Sequence, residues 1–244
     1  MKKLLLVAIA ATSFSGLANA NNSIYASLKS GISDTKYKNS KEIFTSKSSS
    51  PYEDIESYVN DNLTKSTYPN ISAAVGFDFS KISNINARSE LEYTYKNSDT
   101  FSPAVNTVVV QMDNQTTNYP VHGFFYVNKL KMQSLMLNGY YDFKNTSKFT
   151  PYVGTGVGVT RIKSTRSLAN ETAGNSIFST DSQFTWSAGI GIAYTITSNV
   201  ALDLGYKYTN FGNFKFSNEN PWAYLDTKVK LSSQDYSLGI RYNF

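Results

Sequence analysis

The sequence predicts an all-β protein, an eight-stranded antiparallel up-and-down transmembrane β-barrel. Three observations predict it. Eight segments of about ten residues alternate apolar residues with small or polar ones, the pattern of barrel strands that face lipid on one side and a lumen on the other. The apolar sets end in aromatic residues at both ends. Short connections alternate with long ones along the chain.

The segments follow in order. The first sets Ile24, Ala26, Leu28 and Ile32 against Tyr25, Ser27, Lys29 and Gly31. The second sets Ile71, Ala73, Val75, Phe77 and Phe79 against Ser72, Ala74, Gly76 and Asp78. The third sets Ile85, Ala87, Leu91, Tyr93 and Tyr95 against Asn86, Arg88, Glu90, Glu92 and Thr94. The fourth runs over Leu135–Phe143 with Ser134, Asn138, Tyr140 and Asp142 opposed, and the fifth over Phe149–Val159 with Tyr152, Gly154, Gly156 and Gly158 opposed. The sixth spans Phe184–Ile196, the seventh Val200–Tyr208 with Asp203 and Lys207 opposed, and the eighth Tyr236–Phe244 with Asp235 and Arg241 opposed. Period two places each set on one strand face. A soluble sandwich would hide the apolar set in a shared core. Here the opposed sets are rich in glycine and small residues, which suits a narrow interior. Rings such as Phe77, Tyr141 and Tyr242 fall at one rim, with Tyr93, Trp186 and Tyr236 at the other, as two membrane interfaces select.

The connections set topology. Residues 80–84, 144–148 and 197–199 are short turns. Roughly 20 to 35 residues join the remaining neighbours, and short turns at one end with four long loops at the other is the arrangement of bacterial outer-membrane barrels, turns toward the periplasm and loops outward. In the first loop, Ser50-Pro51-Tyr52-Glu53 has capping-box spacing, and Ile55, Tyr58 and Val59 follow at helical spacing, which predicts a short helix.

Residues 1–20 read as a secretory signal peptide rather than as part of the fold. Lys2 and Lys3 form a basic start, Leu4–Ala11 an apolar run too short to span a bilayer, and Ala18-Asn19-Ala20 a cleavage site. Cleavage after Ala20 leaves residues 21–244 as one barrel domain and lowers the formal charge from +5 to +3, because Lys2 and Lys3 leave with the peptide. The remaining cations are scattered, with no cluster that reads as a nucleic-acid site. Cysteine is absent, which excludes disulfides and a lipoprotein anchor. After the leader no apolar run is long enough for a membrane helix.

Ten charged residues fall on the inward sets: Lys29, Asp78, Arg88, Glu90, Glu92, Asp142, Asp203, Lys207, Asp235 and Arg241. On the lipid face, Arg or Lys would cost about 2–4 kcal/mol at mid-bilayer. Inside, opposite charges can form a compensated network in place of an apolar core. An ion pathway and a catalytic carboxylate pair at Glu90 and Glu92 are the competing readings. Eight strands enclose a lumen that side chains nearly fill, which disfavours a wide pore. Catalysis lacks a constellation: His122 is the sole histidine, Ser134 is the nearest serine on its hairpin, and no cofactor or metal-ligand cluster accompanies them. The glycine run Gly154, Gly156 and Gly158 follows strand alternation and leaves room for bulky inward neighbours such as Tyr140 or Arg88.

Several segments together resemble opacity-type surface proteins: Tyr25–Gly31, Arg88–Tyr93, Leu137–Phe143, Pro151–Gly158 and Leu238–Phe244. The resemblance covers the strands and not the loops. It implies the eight-stranded architecture of opacity and OmpA-type domains. Many opacity proteins are adhesins, so it also implies a structural surface barrel whose loops bind a host receptor or matrix ligand. A small-solute porin is the alternative, and a lipid A-modifying enzyme the more distant one. Phe244, Tyr242 and Ile240 resemble the terminal aromatic signal read by the barrel assembly machinery; an ordinary closing strand has the same pattern. Tyr52, Tyr58, Phe101, Tyr119, Phe124, Phe125, Phe178 and Trp222 fall in the expected loops as candidate anchors for a partner.

Overall fold

The structure, a computed structural model, describes residues 23–46, 54–59, 65–97, 105–112, 115–120, 126–168, 177–219 and 223–244. The expected leader with Ala18 and Ala20 lies outside them, as do Tyr52, Phe101, His122, Phe124, Phe125 and Trp222.

Eleven strands follow one another: β1 Ile24–Ser46, β2 Asp54–Val59, β3 Lys65–Asp78, β4 Ala87–Asn97, β5 Val105–Met112, β6 Gln115–Pro120, β7 Tyr126–Asp142, β8 Phe149–Leu168, β9 Ile177–Thr195, β10 Val200–Glu219 and β11 Ala223–Asn243. Eight of them pair antiparallel in the order β1, β3, β4, β7, β8, β9, β10, β11, and β11 pairs back onto β1 to close the barrel. Closure leaves no unpaired backbone edge in the wall, which lipid would not tolerate.

The faces divide as alternation dictates. On β4, Leu91 is 53% exposed while Glu90 and Glu92 are 2% and 1% exposed. Leu137, Val157, Ile190, Leu204 and Leu238 likewise point outward. A soluble barrel would invert this, so the exposed apolar belt is the lipid-facing surface. Rings meet edge-on or tilted at its rims: Tyr141 with Phe143 at 5.3 Å and Phe149 with Tyr194 at 4.8 Å at the turn end, Trp186 with Tyr208 at 5.6 Å at the other.

Two features differ from the sequence reading. The barrel strands are 11 to 23 residues long instead of about ten, because the hairpins keep pairing beyond the lipid belt. The helix expected over Ser50–Val59 is wrong for its second half, which is β2. Asp54–Tyr58 pairs with Lys41–Thr45 of β1, and Asp54–Val59 pairs with Val105–Gln111 of β5. β3 leaves the β1 edge at Lys36, so the outer part of β1 offers open backbone groups. Satisfying them by strand pairing outweighs a marginal cap, and Ile55, Tyr58 and Val59 suit a strand as well. β6 then pairs with β5, which makes a small sheet continuous with the outer end of β1 and places the Tyr58 and Tyr119 backbones in strands.

Candidate functional site

The lumen and the loop-bearing end of the barrel are the two places where function could reside. Their geometry follows from the inward parity of each strand.

Nearest the turn end, Arg88 on β4 donates from Nε and Nη2 to Asp142 on β7 at 2.7 and 2.9 Å. Its guanidinium sits 4.8 Å from the Tyr140 ring centre, 5.2 Å from Tyr152 and 5.7 Å from Tyr25. Arg241 lies 3.7 Å from Asp203, and its guanidinium also stands over the Tyr25 ring, 5.6 Å from its centre. The next layer is a chain of four charges. Lys29 bonds Glu90 at 2.7 Å and Glu92 at 3.1 Å, and Lys207 bonds the second oxygen of Glu92. Toward the loop end, Lys96 donates to both oxygens of Asp235 at 2.7 Å, with Thr209 donating to the same carboxylate at 3.2 Å.

The bulky lumen rings fit because the neighbouring strand has glycine. A Cβ on Gly76 would lie 2.1 Å from the Tyr25 ring, on Gly154 2.4 Å from Tyr140, and on Gly191 2.3 Å from Tyr152. The aromatic fills the space a side chain would take and packs on bare backbone.

Above the charged layers the lumen becomes apolar. Tyr68, Leu130, Met132, Ile162, Phe211, Phe214, Val229 and Leu231 form one buried cluster. A bulge builds part of it. Pairing of β10 with β11 shifts between Asn210 and Asn213, and Gly212 there has φ of 74° with its N–H bonded to Asn210 Oδ1 at 2.9 Å. Glycine takes this left-handed conformation without strain. The extra residue changes inward parity from odd to even, so both Phe211 and Phe214 point inside.

The eight charges Lys29, Arg88, Glu90, Glu92, Asp142, Asp203, Lys207 and Arg241 are all brought into these layers. Asp78 is not. It sits at the turn rim and accepts from the Ser80 N–H at 3.0 Å, capping the short 3-10 turn Phe79–Lys81. Lys96 is the residue sequence reading missed. It shares parity with Glu90, Glu92 and Thr94, and following the alternation one step past Tyr95 would have found it. With Lys96 in and Asp78 out, five cations face five carboxylates in ion pairs.

Neither chemical alternative finds an assembled site among the described residues. Glu90 and Glu92 share Lys29, so the pair is ion-bonded. Ser134 lies inside the barrel with its hydroxyl 2.8 Å from Thr160 Oγ1, which Thr185 also engages. A cavity of about 50 Å³ lies between the charged layers, bordered by Lys29, Glu92, Asn138, Tyr140, Tyr152 and Lys207. One water needs on the order of 10–15 Å³, so this space holds a few waters rather than a solute. At the turn end, the Phe244 N–H bonds the Ile24 carbonyl at 3.1 Å and its ring meets Tyr242 at 5.3 Å, so the last residue ties β11 to the start of β1. Phe178, alone of the proposed loop anchors, is described with its side chain, and it is 76% exposed at the start of β9.

The chain is 34% identical over 182 residues to outer membrane protein PagN of Salmonella typhimurium, covering 70% of this chain and 71% of that one. It is 26% identical over 216 residues to opacity protein opA67 of Neisseria gonorrhoeae, covering 78% and 83%. Among solved structures, the outer membrane protein OprG from Pseudomonas aeruginosa shares the fold, with a TM-score of 0.52, 14% identity, and coverage of 92% of this chain and 97% of that one. The family described as opacity family porin protein matches residues 75–244, from the end of β3 to the last residue. The chain is therefore a bacterial outer-membrane β-barrel protein and belongs to the opacity family.

Proposed function

We propose that this protein is a non-enzymatic surface adhesin, whose barrel anchors and raises four loops that bind a ligand on host cells or matrix. The observation that carries this reading is the height and closure of the hairpins. Beyond Tyr208, β10 runs eleven further residues to Glu219, which pairs with Tyr224 of β11. At 3.3 Å per residue and a tilt near 40°, that lifts the hairpin tip on the order of 25 Å above the aromatic rim. The apolar cluster fills the base of this extension and packs its strands against one another. A channel has no use for such a stopper, whereas a display scaffold needs a fixed platform. The exposed Phe178 ring at the base of the third loop fits a binding surface.

Loop exchange tests the reading. The refolded barrel is applied to panels of host cells and matrix components, beside a barrel of the same strands with all four loops replaced by short turns. Binding that depends on the native loops supports adhesion. Equal binding by both barrels, or by neither, contradicts it.

A further inference from the structure

The outer face of the β7–β8 hairpin carries a cluster of cations directly above the lipid belt. Lys129 and Lys131 on β7 and Arg161 and Lys163 on β8 are all exposed, and all have outward parity. Lys131 and Lys163 are direct cross-strand partners, Arg161 faces Gln133, and Lys129 faces Thr165. Each charge is thus a direct or diagonal neighbour of the next, with Cβ atoms about 5 to 8 Å apart. Like charges placed opposite each other repel, and among the described residues no carboxylate forms an ion pair with any of the four. The cluster is an unbalanced positive patch, in contrast to the balanced lumen a strand's thickness away.

Its height decides what it meets. Val159 and Phe184 are cross-strand partners on the lipid face, 53% and 65% exposed, and the next outward pair is Arg161 with Ser182. One outward step is about 7 Å along a strand, or about 5 Å along the membrane normal at barrel tilt. Arg161 and Lys163 therefore stand one and two steps beyond the last apolar pair, at the depth of lipid headgroups. Gln133, exposed to an intermediate degree beside Arg161, adds an amide donor to the same layer.

We infer that this patch is a binding site for the phosphate groups of the outer-leaflet glycolipid, with Lys131, Arg161 and Lys163 clamping the headgroup and Lys129 completing the charge. Phosphate supplies the missing countercharge, and Arg161 offers planar paired donors for it. The hydrocarbon chains of the same lipid would run down the adjoining apolar face past Val159 and Leu135. The site depends on the outer-membrane placement and not on what the loops bind.

The test is native mass spectrometry of the protein, purified from membranes, in phosphatidylcholine nanodiscs containing either diphosphoryl lipid A or its dephosphorylated form. The wild type is expected to retain the diphosphoryl form at least about tenfold better, the effect of one to two effective surface cations. K129Q/K131Q/R161Q/K163Q is expected to lose that preference while keeping heat-modifiable migration. K81Q/K148Q, which removes exposed turn-end cations, is expected to keep it. If the quadruple variant does not fold, K131Q/K163Q gives the same reading with a smaller loss. Equal retention of both lipids by the wild type, or an undiminished preference in a folded patch variant, would overturn the site. So would a patch that binds soluble sulfated polysaccharide but shows no preference for the phosphorylated lipid, which assigns it to a soluble partner.

Discussion

Replacing Arg88 by Met probes the lumen network at its most enclosed pair. The Arg88 and Asp142 side chains are 5% and 7% exposed, so solvent screens little of their interaction. Arg88 gives both hydrogen bonds that the described residues offer the Asp142 carboxylate. Without it a buried anion is left uncompensated, a loss of about 3–5 kcal/mol. Three ring contacts at 4.8 to 5.7 Å disappear as well. R88M/D142L should recover most of the loss, because removing both charges leaves no orphan and the pair's desolvation largely offset its attraction. We expect a coupling of at least about 2 kcal/mol between the two sites. The assay is equilibrium urea unfolding of the refolded barrel in lipid vesicles, followed by tryptophan fluorescence and heat-modifiable migration. A single-variant loss below about 1 kcal/mol, the value for an exposed pair, would refute the reasoning, and so would additive losses.

Other predictions follow from the same geometry. Gly154→Ala should destabilise by about 1–3 kcal/mol in the same assay, because its Cβ would meet a Tyr140 ring wedged between Arg88 and Tyr152. Gly139→Ala, with open space at its Cβ, should stabilise by about 0.5–1 kcal/mol. Leu137→Lys, in the middle of the lipid face, should cost about 2–4 kcal/mol, whereas the same change in a soluble protein's surface would be nearly neutral. Deleting Phe244 removes both its ring contact with Tyr242 and the N–H bond to Ile24. We expect a lower yield of heat-modifiable barrel in cell membranes, and an unchanged yield would refute an assembly role.

The sequence exposed the wall of the barrel more fully than its ends. Leu91 between Glu90 and Glu92 is a local statement of which face meets lipid, and period two carries it along the strand. The apolar outward set stops at the edge of the lipid belt, and there the physics reverses. On β7, Leu130 and Met132 keep the inward parity of Ser134 but are apolar, and Lys129 and Lys131 keep the outward parity of Leu135 but are charged. Outside the membrane a strand needs an apolar inside and a polar outside, so one continuous strand has two opposite patterns. On β10 the bulge at Gly212 also breaks the parity, which conceals Phe214 from any fixed alternation. β2 was misread for another reason. Its partner on β1, Lys41–Thr45, is near in the chain, but its other partner, Val105–Gln111 of β5, lies about fifty residues on, and neither pairing leaves a local signal that competes with a capping motif. Lys96, by contrast, was readable and lay one step beyond the segment boundary.

The central claim is that the strands form a sealed scaffold and leave specific recognition to the loops. Single-channel recording of the refolded protein in planar bilayers tests it most directly. Charged layers from Arg88 to Asp235, with the Phe211 and Phe214 cluster above them, predict a quiet bilayer without stable open steps. Large, long-lived conductance steps from correctly folded protein would contradict it.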